Sequence, residues 1–280
     1  MVKLTFVKPD DNCAQGKNQK RNLVAIAPFL RSCPQVVTLG VRTSMGDYTP
    51  KQRRMLLCAG KILFPTPRFA GILHAAGKKT FPSVLAYSVQ KSRLMQKVLF
   101  QFLKCPHPLT RTYYGRQKSS IVEHFPFPFR AMGPKMTDNA RLVSNVRELK
   151  AVSEIYNPLM IEEMLDYRER FQLIFVNYQC VGVLRSVSTQ DQHRFDSFEI
   201  PPTPRWDMVG SPPCFSVKIV PYLEKLLKSA QIDDIAIEIG TTRRGWRLIE
   251  LARPPLCWPT PTGSANRHDL IAHMIESDIL

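Results

Sequence analysis

Apolar positions along this chain fall into short runs and amphipathic stretches, and their spacing sorts them into elements. Residues 23–27 and 36–39 are compact aliphatic runs of strand length. Thr49 followed by Pro50 is a helix start, a capping hydroxyl ahead of a proline whose missing N–H costs nothing in the first turn. Residues 61–64 read as a strand stopped by Pro65 and Pro67, and Phe69, Ile72, Leu73 and Ala76 then recur at helical spacing before Gly77. Between Gln90 and Lys104, the residues Leu94, Val98, Leu99, Phe102 and Leu103 line up opposite Lys91, Lys97 and Gln101. That spacing predicts an amphipathic helix with this apolar side buried. Residues 109–114 alternate as a strand, so the first part of the chain reads as an α/β lobe.

The second half continues in the same manner. The proline-laced run 125–129 leads into a strand, with 141–143 as its hairpin mate. Asn145 and Glu148 form a capping-box pattern ahead of Leu149, Val152 and Ile155. Residues 159–161 are a strand, and 171–176 and 180–187 flank a three-residue hairpin loop, Asn177, Tyr178 and Gln179. Residues 188–214 hold five prolines and no period, the pattern of a long loop or lid. A helix over 217–230, two strands over 235–239 and 246–251, and a last helix over 269–279 complete the chain. The expected divisions are an amino-terminal α/β domain over 1–119, a small lobe over 120–187 and a carboxy-terminal lobe over 188–280.

Composition changes this picture in three ways. A hydrophobic fraction of 44% excludes wholesale disorder. The chain has no uninterrupted apolar run of about 18 residues, so no membrane-spanning helix is expected. Nor does a long apolar run precede Lys8 and Pro9, which argues against an export signal. Seven cysteines with no CxxC pair predict reduced, mostly buried thiols in a cytoplasmic protein.

Charge is informative once divided. Residues 1–150 carry 26 Lys and Arg against 6 Asp and Glu, whereas residues 151–280 carry 13 against 17. The basic half suits an anionic substrate or a nucleic acid, although its cations are scattered and form no basic tail.

Two acidic residues stand out because each interrupts an aliphatic strand: Glu238 within 235–239 and Glu250 within 248–251. In an antiparallel hairpin both carboxylates reach one face. Isolated there they would be costly. A bound Mg²⁺ with nucleotide phosphates would neutralise them, and so would ion pairs to Arg243, Arg244 or Arg247; the residues alone leave both readings open.

At this hairpin the chain resembles the ATP-grasp superfamily, in particular the ribosomal-protein glutamate ligases among the carboxylate–amine ligases. The resemblance runs back through Pro106-His107-Pro108-Leu109-Thr110-Arg111, the strand approach 125–132, and the hinge-like Ile161-Glu162-Glu163-Met164-Leu165. It implies an α/β, ATP-grasp-like fold in which two lobes enclose a nucleotide cleft behind an amino-terminal α/β lobe. It also implies ATP and Mg²⁺ as cofactors. By resemblance, Glu238 and Glu250 would hold metal, Glu163 would lie at the adenine, Arg130 and Lys135 would approach the nucleotide, and Arg185 would steady phosphate or acylphosphate.

The departures from the family pattern are specific. Met132 stands where relatives carry a nucleotide-contacting lysine, and residues 134–141 contain no glycine where relatives have a glycine-rich phosphate loop. Arg170-Phe171-Gln172 replaces Asp-x-Arg, and Ala252 replaces the asparagine that follows the last metal-binding glutamate. The implied activity is therefore an ATP- and Mg²⁺-dependent ligation of a carboxylate to an amine through an acylphosphate. The substrate would be a small amino acid or a peptide tail. The alternatives are a degenerate ATP-grasp protein serving as a nucleotide-binding or scaffold subunit, and a basic nucleic-acid-binding protein. Nothing in the sequence indicates an oligomeric state.

Overall fold

The computed structural model describes residues 22–186, 206–208, 216–260 and 263–280. The expected lid over 188–214 lies outside the described residues, apart from the strand at 206–208. The chain forms two compact units, one ending at Phe81 and the other beginning at Pro82.

In the first unit, β1 (Leu23–Ala25), β2 (Val36–Thr38), β3 (Lys61–Leu63) and β4 (Thr80–Phe81) form a parallel sheet in the order β2-β1-β3-β4. Parallel neighbours need crossover connections, and helices α1 (Pro50–Cys58) and α2 (Pro67–Ala75) supply two of them. Each helix starts at a capping threonine followed by proline: Thr49 accepts the Gln52 N–H and Thr66 that of Phe69. Val24, Ile26, Tyr48, Leu56, Ile62, Phe69 and Leu73 make the core of this unit.

The second unit opens with α3 (Val84–Val89) and α4 (Arg93–Phe102). Strand β5 (Thr110–Tyr113), helix α5 (Ile121–His124), strands β6 (Phe129–Met132) and β7 (Arg141–Val143), helix α6 (Val146–Ile155) and strand β8 (Leu159–Glu163) follow. Their strands form an antiparallel sheet in the order β5-β8-β6-β7. Tyr113, Phe129, Ala131, Val143 and Ile161 face a core with Ile121, Leu149 and Val152 of the helices. At the start of α6 the Asn145 side chain accepts the Glu148 N–H, but Glu148 returns its carboxylate to the Ser144 N–H rather than to that of Asn145.

A five-stranded antiparallel sheet comes next. It contains β9 (Glu169–Val176), β10 (Gln179–Ser186), β11 (Trp206–Met208), β12 (Asp234–Thr242) and β13 (Gly245–Ala252), in the order β11-β10-β9-β12-β13. Helix α7 (Ser216–Ser229) supplies Ile219, Leu223 and Leu227 to the core under Phe171, Leu173, Phe175, Ile235, Ile237 and Ile239. The chain closes with the hairpin β14 (Cys257–Thr260) and β15 (Gly263–Asn266), then α8 (Arg267–Glu276). A buried ion pair between Arg267 and Asp234 ties α8 to β12.

The structure differs from the pattern-based reading at three places. Strand β5 pairs with β8, and the β9–β10 hairpin belongs to the sheet of β12 and β13, because the apolar side of β9 shares a core with β12, β13 and α7. The hairpin loop has two residues, Asn177 and Tyr178, both at positive φ (49° and 67°), as a twist-matched tight hairpin turn requires. The largest difference is in α4. Its buried side carries Gln96, Lys97 and Phe100, while Val98 and Phe102 of the expected apolar face are exposed, Phe102 at 82%. Specific partners outweigh the apolar stripe. Gln96 accepts the Leu251 N–H at 3.0 Å and donates to the carbonyls of Leu251 (2.6 Å) and Val89 (2.7 Å), so its amide pairs with the free edge of β13.

Among the described residues no disulfide is formed, and no helix is long and apolar enough to cross a membrane.

Candidate active site

The antiparallel register of the large sheet sets Glu238 of β12 directly opposite Glu250 of β13 on one side and Gln172 of β9 on the other. Directly opposed residues share a face, so these three polar side chains form a row across three strands. Ile237, Ile239, Leu173 and Leu251 alternate to the other face and bury in the core. Arg170, two residues before Gln172, lies on the same face as the row. Its Nε donates to Glu238 Oε1 at 2.7 Å, and its Nη2 reaches the same oxygen.

Beyond Glu238 on this face, Gly240 stands opposite Arg170 in register. The Tyr167 ring occupies the space a side chain would fill: a Cβ on Gly240 would lie 2.2 Å from Tyr167 Cδ1. Burial, and next the Glu162 charge, push the Tyr167 hydroxyl well above its ordinary pKa, so it stays protonated.

A second group of charges belongs to the four-stranded sheet. Arg130 on β6 is directly opposite Glu162 on β8, and its Nη1 donates to Glu162 Oε1 at 2.9 Å. Lys97 comes from the buried side of α4 to Glu162 Oε2 and also donates to the Ile249 carbonyl of β13 at 3.1 Å. Burial opposes the Glu162 charge, but Lys97 and Arg130 outweigh it and hold the carboxyl below its ordinary value. Glu250 goes the other way. Burial, and next the Glu238 charge, raise its pKa against the pull of Arg93, Arg130 and Lys97. Among the described residues no hydrogen bond or ion pair is made to the Glu250 carboxylate.

The residues singled out from sequence are distributed unevenly around this site. Glu238, Glu250 and Arg130 come together. The partner of Glu238 is Arg170 rather than Arg243, Arg244 or Arg247. Glu163 ends β8, where its carboxylate accepts the Leu109 N–H at 2.7 Å while its own N–H donates to the Leu109 carbonyl at 3.0 Å. It is Glu162, one residue earlier, that enters the charged cluster. Lys135 sits exposed in the loop joining β6 and β7. Its N–H donates to Asp138 at 2.8 Å and its carbonyl accepts from Arg93 at 2.9 Å. Asp138 can fold back this closely because residue 133 is glycine; a Cβ there would lie 2.2 Å from its carboxylate oxygen. Arg185 is opposite Phe171, which faces the core, so it stands on the sheet face away from the carboxylate row. It pairs with Glu169 at 2.7 Å and remains 58% exposed.

Lys97, Glu162, Tyr167 and Arg170 are the participants that the sequence reading did not assign to the site. A usable signal existed for two of them. Glu162 falls opposite in parity to the buried Ile161, and Arg170 alternates with the apolar Phe171 and Leu173, which marks one polar face of β9.

The donor set can be tested against a divalent cation. Mg²⁺ takes oxygen ligands, commonly one or two carboxylates completed by water and substrate phosphates. Here Arg170 uses only Oε1 of Glu238, which leaves Oε2 and both oxygens of Glu250 on the same face. Among the described residues no group of three or more His, Cys, Asp or Glu side chains gathers to hold an ion by itself. The residues therefore fit one hard cation that shares its coordination with a nucleotide, and they do not form an all-protein cage.

No family model matches the sequence, and no curated protein matches it. Solved structures do. A RimK domain ATP-grasp protein from Sphaerobacter thermophilus superposes with a TM-score of 0.58 at 11% identity, covering 82% of this chain and 90% of that one. The ATP-grasp ligase PsnB, complexed with a minimal precursor, gives 0.58 at 10% identity over 84% of this chain and 91% of that one. N5-carboxyaminoimidazole ribonucleotide synthetase from Thermotoga maritima gives 0.56 at 12% identity, over 83% and 68%. The chain has the ATP-grasp fold, in a strongly divergent sequence.

Proposed function

We infer that the chain is an ATP-dependent ligase that joins a carboxylate to an amine. One observation carries the reading: on an ATP-grasp fold, Glu238 and Glu250 are directly opposed, and among the described residues Arg170 pairs with Glu238 while Glu250 has no ion-pair partner. Glu250 and Oε2 of Glu238 would hold Mg²⁺, which when bound supplies positive charge to the phosphates. Arg130, about one-third exposed beside Glu162, would turn toward a phosphate. Glu163 fixes the segment around Leu109, next to the backbone that would meet the adenine. Arg185, on the other sheet face, receives no part in the chemistry.

In this reaction class the γ-phosphoryl group passes to a carboxylate oxygen of the substrate and ADP leaves. The amine nitrogen then attacks the acyl carbon, the carbon–nitrogen bond forms, the carbon–oxygen bond to phosphate breaks, and the amine proton goes to solvent. The basic half of the chain favours an anionic amino acid or peptide tail as one substrate. The test is ADP release from purified protein with ATP and Mg²⁺ across paired carboxylates and amines. Release that requires both partners is the expected result.

A second reading, a nucleotide-binding subunit without catalysis, has its own supporting observation. In the loop joining β6 and β7, the N–H groups of Lys135, Met136 and Asp138 are bonded within the chain, to Asp138, Lys91 and Lys135 respectively. Amides used this way are not presented to a phosphate. Tight ATP binding with no turnover across the substrate pairs would favour this second reading.

A further inference from the structure

Arg170 does more than pair with a neighbouring acid. It enters the row from β9, and its Nε and Nη2 converge on a single oxygen, Oε1 of Glu238. A guanidinium is a planar cation that presents its donors in a rigid fork. It is also held in place on its strand. Gly240 stands opposite it in register, and the Tyr167 ring fills the space over that glycine.

Charge and ligand count then point the same way. Among the described residues Glu238 has an ion pair, to Arg170, and Glu250 has none, with Arg93, Arg130 and Lys97 acting on it only at a distance, so a single divalent ion with nucleotide phosphates would complete the row. A second divalent ion on the row would meet Arg170 at the same carboxylate. It would also lack a side-chain oxygen at Ala252, which stands opposite Ala236 next along the two strands.

We propose that Arg170 is a resident cation that takes the charge position of a second divalent ion, so that the site holds one divalent ion per chain. This rests on the nucleotide reading above. The ion is held by Glu250 and the free oxygen of Glu238, and Arg170 keeps Glu238 oriented whether or not the ion is bound.

The experiment counts ions on the full chain. Mn²⁺ retained per chain is measured by equilibrium dialysis with saturating AMP-PNP, a non-hydrolysable nucleotide, for wild type and Arg170→Gln. The expected result is one Mn²⁺ in wild type and two in R170Q, the second ion replacing the lost charge. Two in wild type overturns the one-ion claim while leaving the nucleotide reading intact. None in wild type overturns the nucleotide reading and the one-ion claim together. One in both proteins overturns the substitution of Arg170 for an ion. A second readout needs no nucleotide: the melting temperature of metal-free wild type, R170Q, E238Q and the double variant. R170Q is expected to melt about 3 °C lower, with most of that loss recovered in R170Q/E238Q. Additive losses would overturn the role of Arg170 as the cation that Glu238 needs.

Discussion

Two carboxylate clusters lie in the second unit, and they settle their charge in different ways. Glu162 is 2% exposed and is ion-paired to two cations, Lys97 and Arg130, with the Thr110 hydroxyl 3.4 Å away. Of Glu238 and Glu250, only Glu238 is ion-paired among the described residues, to Arg170. The first cluster is closed by the chain. The second leaves Glu250 without an ion-pair partner among the described residues. A buried acid with its full set of partners holds the fold together, whereas a pair that is under-compensated by its own chain marks where a foreign cation belongs. The opposite pKa directions of Glu162 and Glu250 express the same contrast.

The largest effect that would sharpen this contrast is expected at Glu162. Glu162→Gln leaves Lys97 buried without a carboxylate and should cost about 3–5 kcal/mol, read as a lower denaturant midpoint at pH 7. A loss below about 1 kcal/mol would break the distinction, since Glu162 would then behave as a surface acid. Next comes Gln96→Ala, which leaves the Leu251 N–H and two carbonyls without their partner. It should cost about 2 kcal/mol by the same measurement, because Gln96 seats the helix that delivers Lys97.

A smaller effect, of opposite sign, is expected at Glu250. Its folded-state pKa is raised, so in metal-free protein its ionisation is a cost. That cost is absent below the unfolded carboxylate range near pH 4.3, grows as pH rises toward the folded pKa, and is complete above it. Glu250→Gln should therefore raise the metal-free melting temperature at pH 7 by about 2–4 °C, with the gain vanishing at low pH. Glu162 has the reverse sign: its lowered pKa gives stability above the unfolded range that is lost as pH falls through the folded value. The smallest effect belongs to Phe102→Ser, at most about 0.5 kcal/mol; a large loss there would mean that α4 buries its apolar stripe after all.

Much of the framework was legible in the sequence. The Thr49-Pro50 cap, the alternation of strands and helices, and the two glutamates interrupting aliphatic strands all appear where the pattern put them. The ATP-grasp resemblance agrees with the fold. What could not be read depends on contacts between segments far apart in the chain. The face of α4 is decided by Gln96 and Lys97 reaching partners about 150 residues away, at Leu251 and Ile249. Tyr178 at positive φ gives no local turn signal of the kind glycine or asparagine gives. Arg170, read from the family pattern, registers only as the loss of Asp-x-Arg. Its partner emerges only once β9 lies beside β12.

The most direct test of the open carboxylate pair is calorimetry of ATP binding to purified wild type and E250Q, each with and without Mg²⁺. Wild type should bind ATP in a Mg²⁺-dependent manner, and E250Q should lose that dependence, with affinity in Mg²⁺ falling at least about tenfold. No heat from wild type at millimolar ATP, or equal Mg²⁺-dependent binding by E250Q, would contradict the assignment of Glu238 and Glu250 to a nucleotide-bound cation.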